Sequence, residues 1–155
     1  MDKVTFEGLY REMLPGLYRL AQSILRHPAD AQDAVQQAAL KAWQARDRIR
    51  FGNERAYIAR IVINECRNIQ RKRMRILPVA DFPDAAYMPP DTGLKEAIAS
   101  LPEDLRLPLL LKYMEGYSEK ETASALDITL PALKARLHRA RRKLAKELGE
   151  EVELG

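Results

Sequence analysis

Residues 134 to 146, KARLHRARRKLAK, carry seven cations with no acid among them: Lys134, Arg136, Arg139, Arg141, Arg142, Lys143 and Lys146. Side chains of this type at this density suit a polyanion, and duplex DNA presents one phosphate charge per roughly 1.7 Å of its axis. His138 lies inside the run, where a DNA contact or packing suits it better than catalysis. A second cationic cluster, RNIQRKRMR, contains Arg67, Arg71, Lys72, Arg73 and Arg75. Asn64 and Asn68 share its element and Tyr57 and Arg60 precede it; amides, aromatic rings and guanidiniums are the groups that hold unstacked bases of a single strand. A third motif, DAQDAVQQ, places Asp30, Asp33, Gln36 and Gln37 on successive helical turns. There they form either a polar surface for a partner protein or an ordinary solvated face.

The chain is poor in reactive groups. Its 155 residues include one cysteine, Cys66, and two histidines, His27 and His138, which leaves no disulfide and too few soft ligands for a zinc site. No glycine-rich phosphate loop, G-x-S-x-G elbow or H-E-x-x-H pair is present, so the expectation is a non-enzymatic protein with no metal and no cofactor. A hydrophobic fraction of 46% fits a folded chain, and the net charge of +4 hides strong segregation along it. Apolar runs such as 108 to 111 fall far short of the ~20 residues that span a bilayer. Residues 1 to 4 show no basic segment leading into an apolar core, so a cytoplasmic protein without membrane insertion is expected.

The elements that position these motifs read as helices throughout. Tyr10, Met13, Leu14, Leu17, Tyr18, Ala21, Ile24 and Leu25 recur with helical period over residues 4 to 26. His27-Pro28-Ala29-Asp30 supplies a breaker and a capping carboxylate, and Ala34, Val35, Ala38, Ala39, Ala42 and Trp43 mark a second helix from about 30 to 46, with Trp43 in the core. Ile58, Ile61, Val62, Cys66 and Ile69 mark a third, with acidic Glu54 at its start and Arg71-Lys72-Arg73 at its end, the order that suits the helix dipole. Between Ile76 and Gly93 helical period is lost. Four of the nine prolines fall there, with Asp81, Asp84 and Asp91, which predicts an extended linker between two domains.

Beyond it, Leu94, Ala97, Ile98 and Leu101 give a short amphipathic segment, and Leu107, Leu110, Leu111 and Met114 a helix ending near Gly116. Pro108 places either the start of that helix close to Leu105 or a kink within it. Ser118 with Glu121 makes a capping box for a helix over 118 to 126. Asp127-Ile128-Thr129 makes a three-residue turn, and Thr129 caps a last helix that buries Leu133, Leu137, Ala140 and Leu144 and runs to about 148. Two helices joined in this way have helix-turn-helix spacing, with the cationic run on the second. The fold class is all-α, in two small helical domains at 1–75 and 94–155 with a Pro-rich linker at 76–93.

In order, these parts resemble a bacterial sigma factor of the extracytoplasmic-function group. DAQDAVQQAALKAW at 30 to 43 is similar to the family's region 2.2, YIARIVINECRNIQRKR at 57 to 73 to regions 2.3 and 2.4, and residues 101 to 144, with L-P-E, E-G-x-S and K-x-R-L-x-R-A-R elements, to region 4. The resemblance implies a specificity subunit for core RNA polymerase. Asp30, Asp33, Gln36 and Gln37 would meet the β′ clamp helices, and the β flap of core polymerase would be a further partner. Asn64 and the loop from Asp47 to Glu54 would capture a flipped base of the minus-ten element, with Tyr57, Arg60, Arg67, Asn68, Arg71 and Arg73 beside it. Thr129, Ala132, Lys134, Arg136, His138, Arg139 and Arg141 would approach the minus-thirty-five element. An anti-sigma factor would cover these surfaces.

Two departures shape that expectation. Gln32 and Gln37 stand where the family usually has acids, which makes the polymerase contact less electrostatic. Thr129-Leu130-Pro131-Ala132-Leu133 replaces a common Ser-Glu-Gly-Thr-Val, removing a carboxylate and a hydroxyl from the reading end. The same residues also fit a dimeric helix-turn-helix regulator of palindromic DNA, or a helical adaptor whose basic faces bind acidic protein.

Overall fold

A computed structural model describes residues 1–76, the last two as backbone alone, and 93–148. The expected linker with Asp81, Asp84 and Asp91, the Arg75 side chain, and the acids Glu150, Glu151 and Glu153 lie outside the described residues. The fold is all-α as expected: seven α-helices and no strand among the described residues, grouped in two compact units.

The first unit is a bundle of α1 (Lys3–Leu25), α2 (Pro28–Gln44) and α3 (Glu54–Ile76). Asp2 caps α1 by accepting from the Thr5 N–H at 2.8 Å, a bond that holds its carboxyl below the usual carboxylate range. Pro15 sits within α1 on its exposed side, where water can serve the carbonyl that loses its helical donor. α2 starts two residues earlier than expected, because Pro28 needs no N–H in the first turn. His27 holds the cap position without a side-chain bond, so Asp30 is not the cap; its carboxylate turns elsewhere.

α2 lies against both α1 and α3. Its packed face is small: Ala31, Ala34, Ala38 and Ala42 are fully buried. Contacts fix the directions of the helices. Phe6 meets Trp43 with ring centroids 5.4 Å apart, and the Tyr10 hydroxyl donates to the Val35 carbonyl, so α1 and α2 run antiparallel. Gln70 Nε2 donates to the Ile24 carbonyl at 3.3 Å, which joins the C-terminal ends of α1 and α3 and leaves those two parallel. Burial pushes the Tyr10 phenol well above its ordinary pKa, so it stays a neutral donor. Trp43 is half-buried rather than fully in the core, and the Arg46 guanidinium stacks 3.8 Å above its ring.

The second unit comprises α4 (Gly93–Ser100), α5 (Glu103–Leu109), α6 (Glu119–Leu126) and α7 (Leu130–Leu148), with α4, α5 and α6 all resting on α7. Leu101, Leu107, Leu109, Leu111, Leu133, Leu137 and Leu144 form its core. The Arg106 guanidinium is buried with them and donates to the Leu101 carbonyl at 2.6 Å.

α5 begins at Glu103, so Pro108 stands inside the helix, and the chain continues as a π-helical turn over Leu110–Met114. A proline cannot donate to the carbonyl four residues back and crowds it. The wider turn carries the backbone on to Gly116, whose φ of +74° ends it, with the Tyr117 N–H donating to the Leu111 carbonyl. The capping box forms as read: Ser118 Oγ accepts from the Glu121 N–H at 3.0 Å and a Glu121 carboxylate oxygen accepts from the Ser118 N–H at 2.9 Å. Asp127 closes α6 in the left-handed region, and Thr129 Oγ1 caps α7 by accepting from the Ala132 N–H.

The alanine face of α2 leaves no room for a larger side chain. Ala38→Leu should destabilise the first unit by about 1–3 kcal/mol, the usual cost of overpacking a closed contact. Urea unfolding followed by fluorescence of Trp43, the single tryptophan, would measure it.

Candidate nucleic-acid interface

The side of α3 opposite its buried face carries Tyr57, Arg60, Asn64, Arg67, Asn68 and Arg71, spaced three, four, three, one and three residues apart on one helical stripe. Asn64, Arg67 and Arg71 are exposed; Tyr57, Arg60 and Asn68 are half-buried. The Arg71 guanidinium donates to the Asn68 side-chain oxygen, which orients both. Arg73 does not join this stripe. Two residues beyond Arg71 is roughly 200° round a helix, and Arg73 points back into the bundle to pair with Asp30.

The loop before α3 adds groups that composition did not single out. After a 3-10 turn over Arg46–Arg48, Phe51 stands fully exposed at 102% of its reference area, next to Gly52 at φ +89°. A phenyl ring so displayed is a stacking surface, and exposed Arg48 and Arg50 flank it. The signal available in the sequence was the Phe-Gly pair where helical period breaks. Arg46 is withheld from this set, since it donates to the Trp43 carbonyl at 2.9 Å while lying on the indole.

On α2, Asp33, Gln36 and Gln37 are exposed side by side, and Leu40, missed in the sequence, continues the row at 59% exposure. The row therefore combines one carboxylate, two amides and one apolar side chain on a single exposed face. Asp30 leaves this row. Its carboxylate pairs with Arg73 and lies 3.7 Å from His27 Nδ1. On the same flank, Lys41 pairs with Glu65, a buried carboxylate of α3.

α7 shows a similar division. Lys134, His138, Arg139, Arg142, Lys143 and Lys146 are exposed, while Ala132 and Arg136 are half-buried on the flank. The exposed Thr129 has its hydroxyl engaged as the helix cap. Arg141 is held inside the unit: its Nη2 and Nε donate to the Tyr113 hydroxyl at 2.6 and 3.2 Å, bracing α7 against the π-helical turn. Lys112 lies 2.7 Å from Glu119 and holds that carboxyl below the usual carboxylate range. Among the described residues no cluster of His, Cys, Asp and Glu has the makings of a metal site, and no helix is long and apolar enough to cross a membrane.

Comparison with known proteins matches both units. Residues 9–76 match the family model for sigma-70 region 2, and residues 92–144 that for sigma-70 region 4. The chain is 31% identical over 156 residues to the ECF RNA polymerase sigma factor SigM of Mycobacterium tuberculosis (strain H37Rv), covering 96% of this chain and 79% of that one. It is 29% identical over 157 residues to the RNA polymerase sigma-E factor of Streptomyces coelicolor, covering 95% and 88%. Among solved structures it is similar to the sigma factor RpoE of Bartonella quintana in complex with the anti-sigma factor NepR, with a TM-score of 0.80, 27% identity and coverage of 96% and 99%. CnrH in complex with the cytosolic domain of CnrY shares the fold, with a TM-score of 0.69 at 24% identity.

Removing Lys41 would strand the Glu65 carboxylate in the bundle. Lys41→Met should cost about 1–3 kcal/mol of stability, and Lys41→Met with Glu65→Met should recover most of it, because an apolar pair removes both charges together. Trp43-monitored unfolding of the two variants would check this.

Proposed function

The chain belongs to the sigma-70 family of RNA polymerase sigma factors, with relatives in the extracytoplasmic-function group, and from that premise we propose how its surfaces divide the work. The family binds core RNA polymerase and promoter DNA in transcription initiation; its members are regulatory factors rather than catalysts. The α2 row of Asp33, Gln36, Gln37 and Leu40 docks on the β′ clamp helices. The α3 stripe, with the loop over 47 to 54, holds the opened minus-ten strand. The first turns and cationic body of α7 grip duplex at the minus-thirty-five element while the second unit meets the β flap. Residues 1–75 and 94–155 are thus two separate DNA-binding domains joined through 76–93, acting in the cytoplasm.

What carries this reading is the pairing, within one three-helix unit, of an amide-and-leucine face on α2 with a cationic, amide-bearing stripe on the adjoining α3. A protein that touches polymerase and unpaired bases at once needs those two faces on one rigid body. Amides and aromatic rings can receive extruded bases, so opening draws on binding energy and needs no nucleotide hydrolysis. The two grips are individually weak and become strong together once polymerase fixes both. The solved complex of RpoE with the anti-sigma factor NepR supports the same kind of control here, by a protein that covers the α2, α3 and α7 faces.

Transcription by bacterial core polymerase from fragmented genomic DNA, with and without this chain, tests the proposal. New start sites sharing two upstream elements support it. Absence of starts from a polymerase that is active with another sigma factor, together with tight dimeric binding to palindromic duplex, would replace it with the stand-alone regulator.

Two substitutions separate the surfaces. Asn64→Ala should slow promoter opening while leaving core polymerase binding intact and stability within about 0.5 kcal/mol, since the side chain is exposed. Loss of polymerase binding instead would move the melting site elsewhere. Arg136→Ala should weaken upstream recognition by about 1–3 kcal/mol with little effect on random DNA; an equal loss on both would make it a phosphate contact.

A further inference from the structure

We infer that Asp30 and Arg73 act on each other and not on outside partners, as a positioning pair that fixes the register of α2 against α3. The inference rests on the proposed function, since it concerns how the polymerase face and the strand-holding face are held in one frame. Taken by residue type, both side chains look like surface contacts. Asp30 belongs to an acid-and-amide motif, and Arg73 to a cationic run with Arg71 and Lys72. Their places on the helices say otherwise.

On α3, Ala59, Val62, Cys66 and Arg73 share the packed side; Arg73 lies two helical turns beyond Cys66, which is fully buried. The strand-holding stripe from Tyr57 to Arg71 is on the other side. On α2, Asp30, Ala34 and Lys41 form the flank turned towards α3, whereas the exposed Asp33, Gln36, Gln37 and Leu40 lie outside it. The side chains of Asp30 and Arg73 are only 16% and 29% exposed, and an Asp30 carboxylate oxygen touches the guanidinium. To reach a phosphate, Arg73 would have to leave that carboxylate half-buried beside His27 without a cation. To reach polymerase, Asp30 would have to strand Arg73 in turn. Removal of one partner from a shielded pair is the costly direction.

A second pair makes the arrangement a register device. Lys41 of α2 meets Glu65 of α3, so the two helices are tied at two levels with opposite polarity: acid to base at the start of α2, base to acid near its end. A slip of one residue carries α3 by about 1.5 Å and turns it by about 100°, enough to set the Asn64 stripe on the wrong side of the bundle. The reversed polarity also rejects a slipped pairing, because each displaced charge would then meet no partner or a like one.

The test uses holoenzyme assembled from core polymerase and the full chain, on a promoter found in the transcription experiment above. Arg73→Asp and Asp30→Arg alone should each slow open-complex formation by about tenfold. The double variant with the charges exchanged should return to within about threefold of the unmutated rate, because the pair is restored with its polarity reversed. A structural side chain with no external contact also leaves ion release unchanged. Arg73→Gln should therefore keep the salt dependence of promoter binding, while Arg71→Gln, on the strand-holding stripe, should lower its slope by about one. An exchanged variant as slow as Arg73→Asp, with its Trp43 unfolding transition intact, would overturn the inference and make Arg73 a direct DNA contact. Should the exchanged chain fail to fold, the Arg73→Gln slope decides: unchanged supports the pair, lowered by about one overturns it. Failure of the sigma reading is distinct, since the unmutated chain would then open no promoter at all.

Discussion

How near α2 can come to its neighbours governs the first unit. Its inner side is four alanines, and a helix with methyl groups at the contact can lie closer to its neighbours than one with leucines there. Close approach brings little apolar area with each side chain, so the bulk of burial comes from Leu17, Leu20, Ile58, Val62 and Ile63 on the two flanking helices. The small face also brings the flanks of α2 within reach of α3, and only then can Asp30 meet Arg73 and Lys41 meet Glu65. Wide packing would leave those four groups in water, where ion pairs contribute little. The outward row of Asp33, Gln36, Gln37 and Leu40 is what remains of α2 once α1 and α3 have covered the rest. The proposed docking face thus follows from the alanines behind it.

Much of this was legible in the sequence. A period of 3.6 residues separates core from surface whenever a helix is long and amphipathic, so most of the buried faces of α1, α3 and α7 could be read, although Leu14 of the expected α1 stripe is exposed. The Ser118–Glu121 box and the Thr129 cap are local chemistry, in which the partners lie three residues apart and need nothing from elsewhere. Three things escaped, for distinct reasons. Pro28 opens α2 where a breaker was read, because a proline ends one helix and begins the next with equal ease. The π-helical turn over Leu110–Met114 has no compositional mark, although it follows directly on the helix that holds Pro108. The roles of Arg73 and Arg141 escaped because a run of like charges looks like one surface in a string of letters, whereas on a helix it is wound round the axis. Their partners, Asp30 and the Tyr113 hydroxyl, lie 43 and 28 residues away.

The site residues follow the same rule. Those on the outward stripe of α3 could be grouped by counting, and they stand together. Phe51 could not, since it lies in a loop where no period applies and only the turn at Gly52 displays it. Leu40 is a different case: it lies off the buried stripe of α2, so its place on the outer row was available from spacing.

The second unit carries the argument about specificity furthest. A helix with seven cations and no acid between 134 and 146 repels itself, and it is stable because Leu133, Leu137, Ala140 and Leu144 are fully buried beneath it. Arg141 relieves part of that repulsion by turning onto Tyr113, which leaves the exposed cations along the body of the helix, where they suit phosphates. The reading end is sparse by comparison. Thr129 has its hydroxyl committed to the cap, Pro131 has no N–H, and Ala132 offers only a methyl group, so on the proposed reading directional contact with base edges falls to Lys134 and Arg136. A grip so weighted towards phosphates holds duplex with modest discrimination. On the proposed division of work, the amides and aromatic groups of the first unit must then supply much of the choice among promoters, acting on bases that have already left the stack. That places recognition and opening in one step, and makes the rigidity of the α2–α3 frame a condition for both.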